Sequence, residues 1–318
     1  MRGRAKTKEL KKPLSVRFKK DIKRNYLIYL MLIPGILILI LFKLGPMGGM
    51  VIAFEDFSAF KGVFGSEWIG LENFRRILQD EYMLTLIKNT VILAVLSVVV
   101  VFPIPIIFTL FLNEVRVSRI RSSVQSLSFL PYFISSAVMV SILYTLTSPS
   151  YGLINAVIKF FGGDPIYFMA EPGWFRPLYV ILQIWQTFGY SSIIYLAAII
   201  SIDPTLYEAA EVDGANRWHK MFWITLPQIS GSVIVMLIIS IGNIFSVDLD
   251  RILLMYNPSV YETADVIQTY VYRMAFDSTG FPDYSYGTAV NMVKSVIAFI
   301  LVIATNKIAK KYSETRIF

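Results

Sequence analysis

The sequence predicts an all-α membrane protein of six transmembrane helices. Three observations carry that prediction. Mean hydropathy is +0.59 and charged residues make up only 16% of the 318, where soluble domains carry about a quarter. Six apolar runs follow one another along the chain, uncharged or nearly so. Basic residues are concentrated in alternate connections. There is no cysteine, so disulfides and thiolate metal sites are excluded. The single histidine, His219, leaves no His-rich metal site and no HExxH element.

Each run is near the roughly 20 residues that cross a bilayer. The first extends from Tyr26 to about Phe54 and is interrupted by Lys43, Gly45 and Pro46. The second, Asn89 to Asn113, carries Pro103 and Pro105, which predict a kink. The third, Ser122 to about Leu146, reads as one helix with Pro131 inside. Pro177 to Ile202 forms the fourth and Met221 to about Val247 the fifth. The sixth, Tyr284 to Asn306, holds one charge, Lys294, whose long stem is expected to snorkel to the outer interface. The first run lies too far from the N-terminus, and is followed by too many others, to be a cleaved signal peptide. The domain organisation is then a basic arm over 1–25, a six-span domain over 26–308 with a polar loop at 203–223, and a tail over 309–318.

Orientation follows from the basic residues. Lys and Arg crowd residues 1–25, the 114–121 turn (Arg116, Arg119, Arg121), the 203–220 loop (Arg217, Lys220) and the tail from Lys307. An even number of spans puts all four on one side, the cytoplasmic one. The alternate connections are longer and are offset by acids such as Glu55, Asp56, Glu67 and Glu72. The N-terminal basic run reads as an anchor to anionic lipid head groups. It lacks the interleaved aromatics of a nucleic-acid site, and no nucleic-acid partner is expected. Three segments between spans, around 68–78, 151–161 and 264–276, read as amphipathic helices. They serve either as a docking platform or as packing over the span ends.

The 203–227 loop is the most specific feature. Asp203-Pro204 is a strong helix start, a carboxylate N-cap followed by proline where no donor is needed. Gly214 reads as a left-handed residue closing that helix. Ala209, Ala210 and Ala215 keep the unit slim, while Glu208, Glu211 and Asp213 charge its surface. Short and rigid, it is suited to enter a partner's cleft and transmit a push.

The spacing Glu208-Ala209-Ala210, three residues, Gly214, then nine residues to Ile224-Thr225-Leu226-Pro227 resembles the EAA coupling loop of bacterial ABC importer permeases. Further segments look like carbohydrate importer permeases, among them Gly70-Leu71-Glu72-Asn73-Phe74, Asn89-Thr90, Phe129 to Ser135, Tyr270 to Arg273 and Asp283 to Ala289. They are similar to the polysaccharide (LplB-type) branch, and the chain resembles in particular the permease of a rhamnogalacturonan-type uptake system. The resemblance runs from about Tyr26 to Phe318. It implies a type I ABC importer permease fold and a permease subunit of an ATP-driven importer of oligosaccharides in the bacterial cell membrane. The implied partners are a second homologous permease, two ATPase subunits and an extracytoplasmic solute-binding lipoprotein. It also implies coupling residues at Glu208, Ala209, Ala210, Asp213, Gly214, Ile224, Leu226 and Pro227.

The chain has no GxxxxGK[ST] phosphate loop, so it is not itself the ATPase; ATP and Mg would be bound by the partner, and no cofactor or metal by this chain. A sugar path needs polar groups and aromatic faces inside the bundle. Gln183, Trp185, Gln186, Tyr190 and Asn243 are the candidates, and Gln183, Gln186 and Tyr190 recur at helical spacing. Buried amides also serve as plain interhelical hydrogen bonds, and spacing does not separate the two roles. An ion-coupled transporter is a weaker alternative, because the six runs contain no Asp or Glu; another solute class is the other. A membrane enzyme would need clustered nucleophiles or ligands that are absent.

Overall fold

The computed structural model describes residues 21–245, 247–276 and 282–312. Most of the basic arm (1–20) and of the tail (313–318) therefore lies outside the described residues. Regular structure is almost wholly helical. The exception is an antiparallel pair, β1 (Glu55–Asp56) with β2 (Glu67–Trp68), in which Glu55 faces Trp68.

Span 1 is α1 (Tyr26–Leu39), continued through tighter and wider turns to Phe54. It buries no side chain along α1, as expected of a helix apolar all round that lipid or another chain covers. After the short α2 (Glu72–Gln79), α3 (Glu81–Leu96) and α4 (Pro103–Asn113) form one continuous span. It starts at Glu81 rather than at Asn89. Next come α5 (Ser118–Phe129), α6 (Ser136–Thr147), α7 (Leu153–Phe160) and the long α8 (Pro172–Ile200). Helices α9 (Pro204–Val212) and α10 (Arg217–Lys220) make the polar loop, and α11 (Ser230–Gly242) is the body of span 5. The chain closes with α12 (Leu249–Met255), α13 (Tyr261–Ala264), α14 (Ile267–Phe276) and α15 (Tyr284–Tyr312).

Among the described residues, three helices are each long and apolar enough to cross a membrane, and three bent pairs pass the same test together. The bends correct the sequence reading. The third run is not one helix: the stretch ending at Phe133 meets α6 at 101°. Pro131 lacks the donor that would continue the ladder, and Ile134 and Ser135 are extended. Span 5 bends by 59° at Ile229 and ends at Gly242, short of Val247.

The proline kinks take a specific form. Among the described residues the π-helical turns Ile40–Leu44, Ser97–Val101 and Met221–Thr225 each stop two residues before a proline: Pro46, Pro103 and Pro227. A proline ring clashes with the carbonyl four residues back, which here is that of Phe42, Val99 or Trp223, the centre of each turn. Widening the turn moves that carbonyl aside while the helix continues.

Tight packing fixes the crossing of α8 over α5. A Cβ added at Gly189 would overlap the Ser128 carbonyl oxygen, so the two backbones touch there, as small residues permit in membranes. At the end away from the 203–220 loop, buried asparagines tie the connections together. Asn73 donates to the carbonyls of Ala53 (3.0 Å) and Glu55 (3.3 Å). Asn89 donates to those of Glu262 and Asp265, both at 2.9 Å, and accepts from Arg176 at 2.8 Å. Thr90 accepts from the Ile267 amide at 3.1 Å. These are residues of the Gly-Leu-x-Asn-Phe and Asn-Thr elements, whose work is to pin the loops over the span ends. Lys294 sits about 15 Å along α15 at 1.5 Å per residue, near the middle of the Tyr284–Lys307 span.

Candidate functional site

Two features stand out, one at the end of the bundle and one at its middle. At the end, Asp203 caps α9 by accepting from the Thr205 amide at 2.9 Å, and this bond holds its carboxyl below the usual range. The helix closes with Gly214 at φ +78°. The Ala215 amide reaches back to the Ala210 carbonyl (2.8 Å) and the Gly214 amide to that of Glu211 (3.0 Å). This double bond pattern is a Schellman closure, and it needs a residue at ease with positive φ. Asn216 then caps α10 by accepting from the His219 amide at 2.9 Å.

Two cross-links make the unit rigid. Lys220 pairs with Glu211 at 2.6 Å, and the hydrogen bond from Lys220 holds the Glu211 carboxyl below the usual carboxylate range. The Tyr207 hydroxyl meets the Thr225 hydroxyl at 2.9 Å, joining α9 to the Ile224-Thr225-Leu226-Pro227 element. Thr225 is buried, and Leu226 packs on the cluster of Ile106, Leu110, Tyr195 and Ile229. Ile224 is half-buried and Pro227 is exposed. Glu208, Ala209, Asp213 and Gly214 lie exposed, with Ala210 half-buried. The exposed face also carries Leu206 and Val212, the latter 88% exposed. Sequence reasoning missed both, along with Tyr207 and Thr225. Leu206, Ala209 and Val212 recur every third residue, which is the signal that would have found the apolar part.

At mid-bundle, a cleft of about 300 Å³ is walled by the π turn Ser97–Val101, α8, the end of α11 and α12 with the segment that leads into it. Ser97 lies halfway along the Glu81–Asn113 span and Gln183 near the middle of α8, while Asn243, Asp248 and Arg251 follow the end of α11, so the cleft runs from mid-span to the end of span 5. Its polar wall is Ser97, Gln183, Thr187, Ser240, Asn243 and the Asp248–Arg251 pair. Gln183 accepts from the Ser97 hydroxyl at 3.1 Å, and Asn243 donates to the Ile239 carbonyl at 3.2 Å. Volume and lining suit a small polar ligand.

The other path candidates divide. Gln186, one turn from Gln183, forms no part of the cleft wall; it donates to the Ile134 carbonyl at the span-3 break (2.8 Å) and accepts from Arg251. Tyr190 stacks on Tyr132, with centroids 3.9 Å apart and planes 6° from parallel. Trp185 is exposed together with Ile181 on another face of α8. Ser97, Thr187, Ser240, Asp248 and Arg251 were not singled out from the sequence. An Asp and an Arg three residues apart at the end of an apolar run was the available signal.

Residues 102–314 match the family model described as binding-protein-dependent transport system inner membrane component. The chain is 43% identical over 311 residues to the polygalacturonan/rhamnogalacturonan transport system permease protein YteP of Bacillus subtilis, covering 98% of this chain and 95% of that protein. Protein LplB of the same organism is 39% identical over 93% of this chain and 92% of its own length. Among solved structures, a bacterial ABC transporter involved in the import of the acidic polysaccharide alginate aligns with TM-score 0.85 at 40% identity, covering 93% of this chain and 99% of that one. The same type of transporter, in complex with an alginate pentasaccharide-bound periplasmic protein, aligns with TM-score 0.86 at 39% identity over 95% of this chain and 100% of that one. The chain belongs to the binding-protein-dependent transport system inner membrane component family, the permease subunits of ABC importers.

Proposed function

We propose that this chain forms half of the translocation path of an ATP-driven importer of oligosaccharides, acidic ones foremost. The observation that carries the reading is the polar cleft that reaches mid-span depth, lined by the amides and hydroxyls of Gln183, Ser97 and Asn243. Such groups are costly in a bilayer unless they face one another or a polar cargo. The kinship supports the cargo class: the similar proteins are named for polygalacturonan/rhamnogalacturonan and for alginate, polymers that contain acidic sugars.

In this reading a second, homologous permease subunit supplies the other half of the path and covers apolar surface such as that of α1. The α9–Gly214–α10 unit seats in an ATPase subunit, one under each permease. The two ATPases hold ATP and Mg; this chain holds neither. A solute-binding lipoprotein delivers sugar at the opposite face, as the complex with the pentasaccharide-bound periplasmic protein supports. The chain sits in the bacterial cytoplasmic membrane with both termini inside. Reporter fusions after Lys61 or Gly163 are expected to read external and one after Phe318 internal. An external C-terminus would remove the six-span arrangement.

The path is tested by substitution. Gln183→Ala and Asn243→Ala should each lower uptake of an acidic oligosaccharide about ten-fold, the scale of one or two lost hydrogen bonds, with the complex still assembled. Gln186→Ala should behave differently and lower the yield of assembled complex, because it frees the Ile134 carbonyl and the Arg251 guanidinium. Full uptake by the Gln183 and Asn243 variants would take the cleft off the path.

A further inference from the structure

The cleft wall holds an ion pair that the hydroxyls and amides of the path do not explain. Arg251 on α12 and Asp248 at its N-cap pair at 2.9 Å, with side-chain exposures of 4% and 33%. The guanidinium also donates to Gln186 Oε1 and stands 5.4 Å from the Tyr179 ring centroid. Its Nε is buried and has no hydrogen-bond partner among the described residues. Nε and Nη2 share one edge of the guanidinium, and that edge matches the two oxygens of a carboxylate. Here Nη2 is engaged and Nε is left over. A buried donor without an acceptor is costly, and Asp248, held where it caps α12, does not satisfy it.

Asp248 is built to let go. Its Oδ1 accepts from the Arg251 amide at 3.1 Å and its Oδ2 from the Ser136 hydroxyl at 3.3 Å. Being a third exposed, it keeps these bonds and meets water when the guanidinium turns to another anion.

We propose that Arg251 reads the carboxylate of an acidic sugar in the path, the sugar's carboxylate taking the Nε–Nη2 edge in place of Asp248. The proposal rests on the reading of the cleft as a sugar path. One anion replaces another, so the buried cation is never left bare, which is the costly state of a buried ion pair. Competition from Asp248 keeps the sugar bound weakly enough to move on, as passage requires. A neutral sugar has nothing with which to displace Asp248.

The test is direct binding to the full complex of both permeases and both ATPases in lipid nanodiscs, with no binding protein present. The probes are trigalacturonate and its carboxyl-reduced, neutral counterpart. The wild type should bind the acid about ten-fold more tightly or better, the scale of a hydrogen bond to a charged group. Asp248→Asn preserves the helix cap, since Asn caps as well as Asp, and removes the competing charge. It should raise the preference for the acid by about a further ten-fold and leave the neutral sugar unchanged. Arg251→Gln should bring the two sugars to equal affinity; should either variant fail to assemble, the wild-type comparison of the two sugars decides. An unchanged preference in Asp248→Asn, a preference that survives in Arg251→Gln, or equal binding by the wild type overturns the proposal. Binding of neither sugar by the wild type overturns the reading of the cleft itself.

Discussion

Replacing Gly189 by leucine should leave almost no folded protein. A Cβ there overlaps the Ser128 carbonyl oxygen, its carbon and the Ser128 side chain, and backbone cannot step aside as a flexible side chain can. Overpacking of this kind costs about 1–3 kcal/mol, and more where backbones must separate. Marginal stability makes such a loss visible as protein rather than as activity alone. The measurement is the monodisperse fraction on size exclusion of a fluorescently tagged chain. Gly173→Ala, where a Cβ meets nothing within 4 Å, is the matched control and should behave as wild type. A wild-type profile for Gly189→Leu would show that α5 and α8 do not cross at this contact.

The second large effect belongs to the α9–α10 unit. Glu208→Lys reverses a charge on its exposed face, and Val212→Lys puts a charge in place of its most exposed apolar side chain. Gly214→Asp places a side chain at φ +78°, a region that Asp and Asn reach more readily than other L residues. It also sets a second carboxylate beside Asp213. Losing one partner of a docked, charge-assisted contact costs about 2–5 kcal/mol, a weakening of about thirty-fold to several thousand-fold. All three variants should insert, pair with the second permease, and lose the ATPase on co-purification. Gly214→Asn, which tolerates the left-handed region, should keep far more of it. Retention of the ATPase by all three would mean that another surface does the coupling.

What the sequence made legible was local. Asp203-Pro204 and Gly214 bound α9 where the structure has it, because caps are short-range chemistry. The apolar runs placed the spans, because a bilayer sets their length. Prolines signalled kinks, but whether a proline produces a π turn, as at Pro103, or a sharp break, as near Pro131, depends on what the neighbouring helices allow. The rest is tertiary. Gln183 and Gln186 are one helical turn apart and alike in chemistry, yet one lines the cleft and the other holds the Ile134 carbonyl. That difference is set by α12 and by the broken span, both distant in the chain. Trp185 was drawn in by its aromatic ring, although its position two residues from Gln183 turns it to another face of α8. Tyr207 and Thr225 meet across a turn whose path only the Schellman closure determines. Arg251 was read as part of a connection between spans, because nothing local tells a buried arginine from a solvated one.

The central claim is that this chain carries sugar at the expense of ATP hydrolysed by attached subunits. Proteoliposomes holding the chain, its second permease and the ATPase pair test it directly. ATP is enclosed, and the binding protein loaded with labelled oligogalacturonate is outside. Accumulation should require both the enclosed ATP and the binding protein, and should persist when proton and sodium gradients are collapsed. Accumulation without ATP, driven by an imposed ion gradient, would contradict the account.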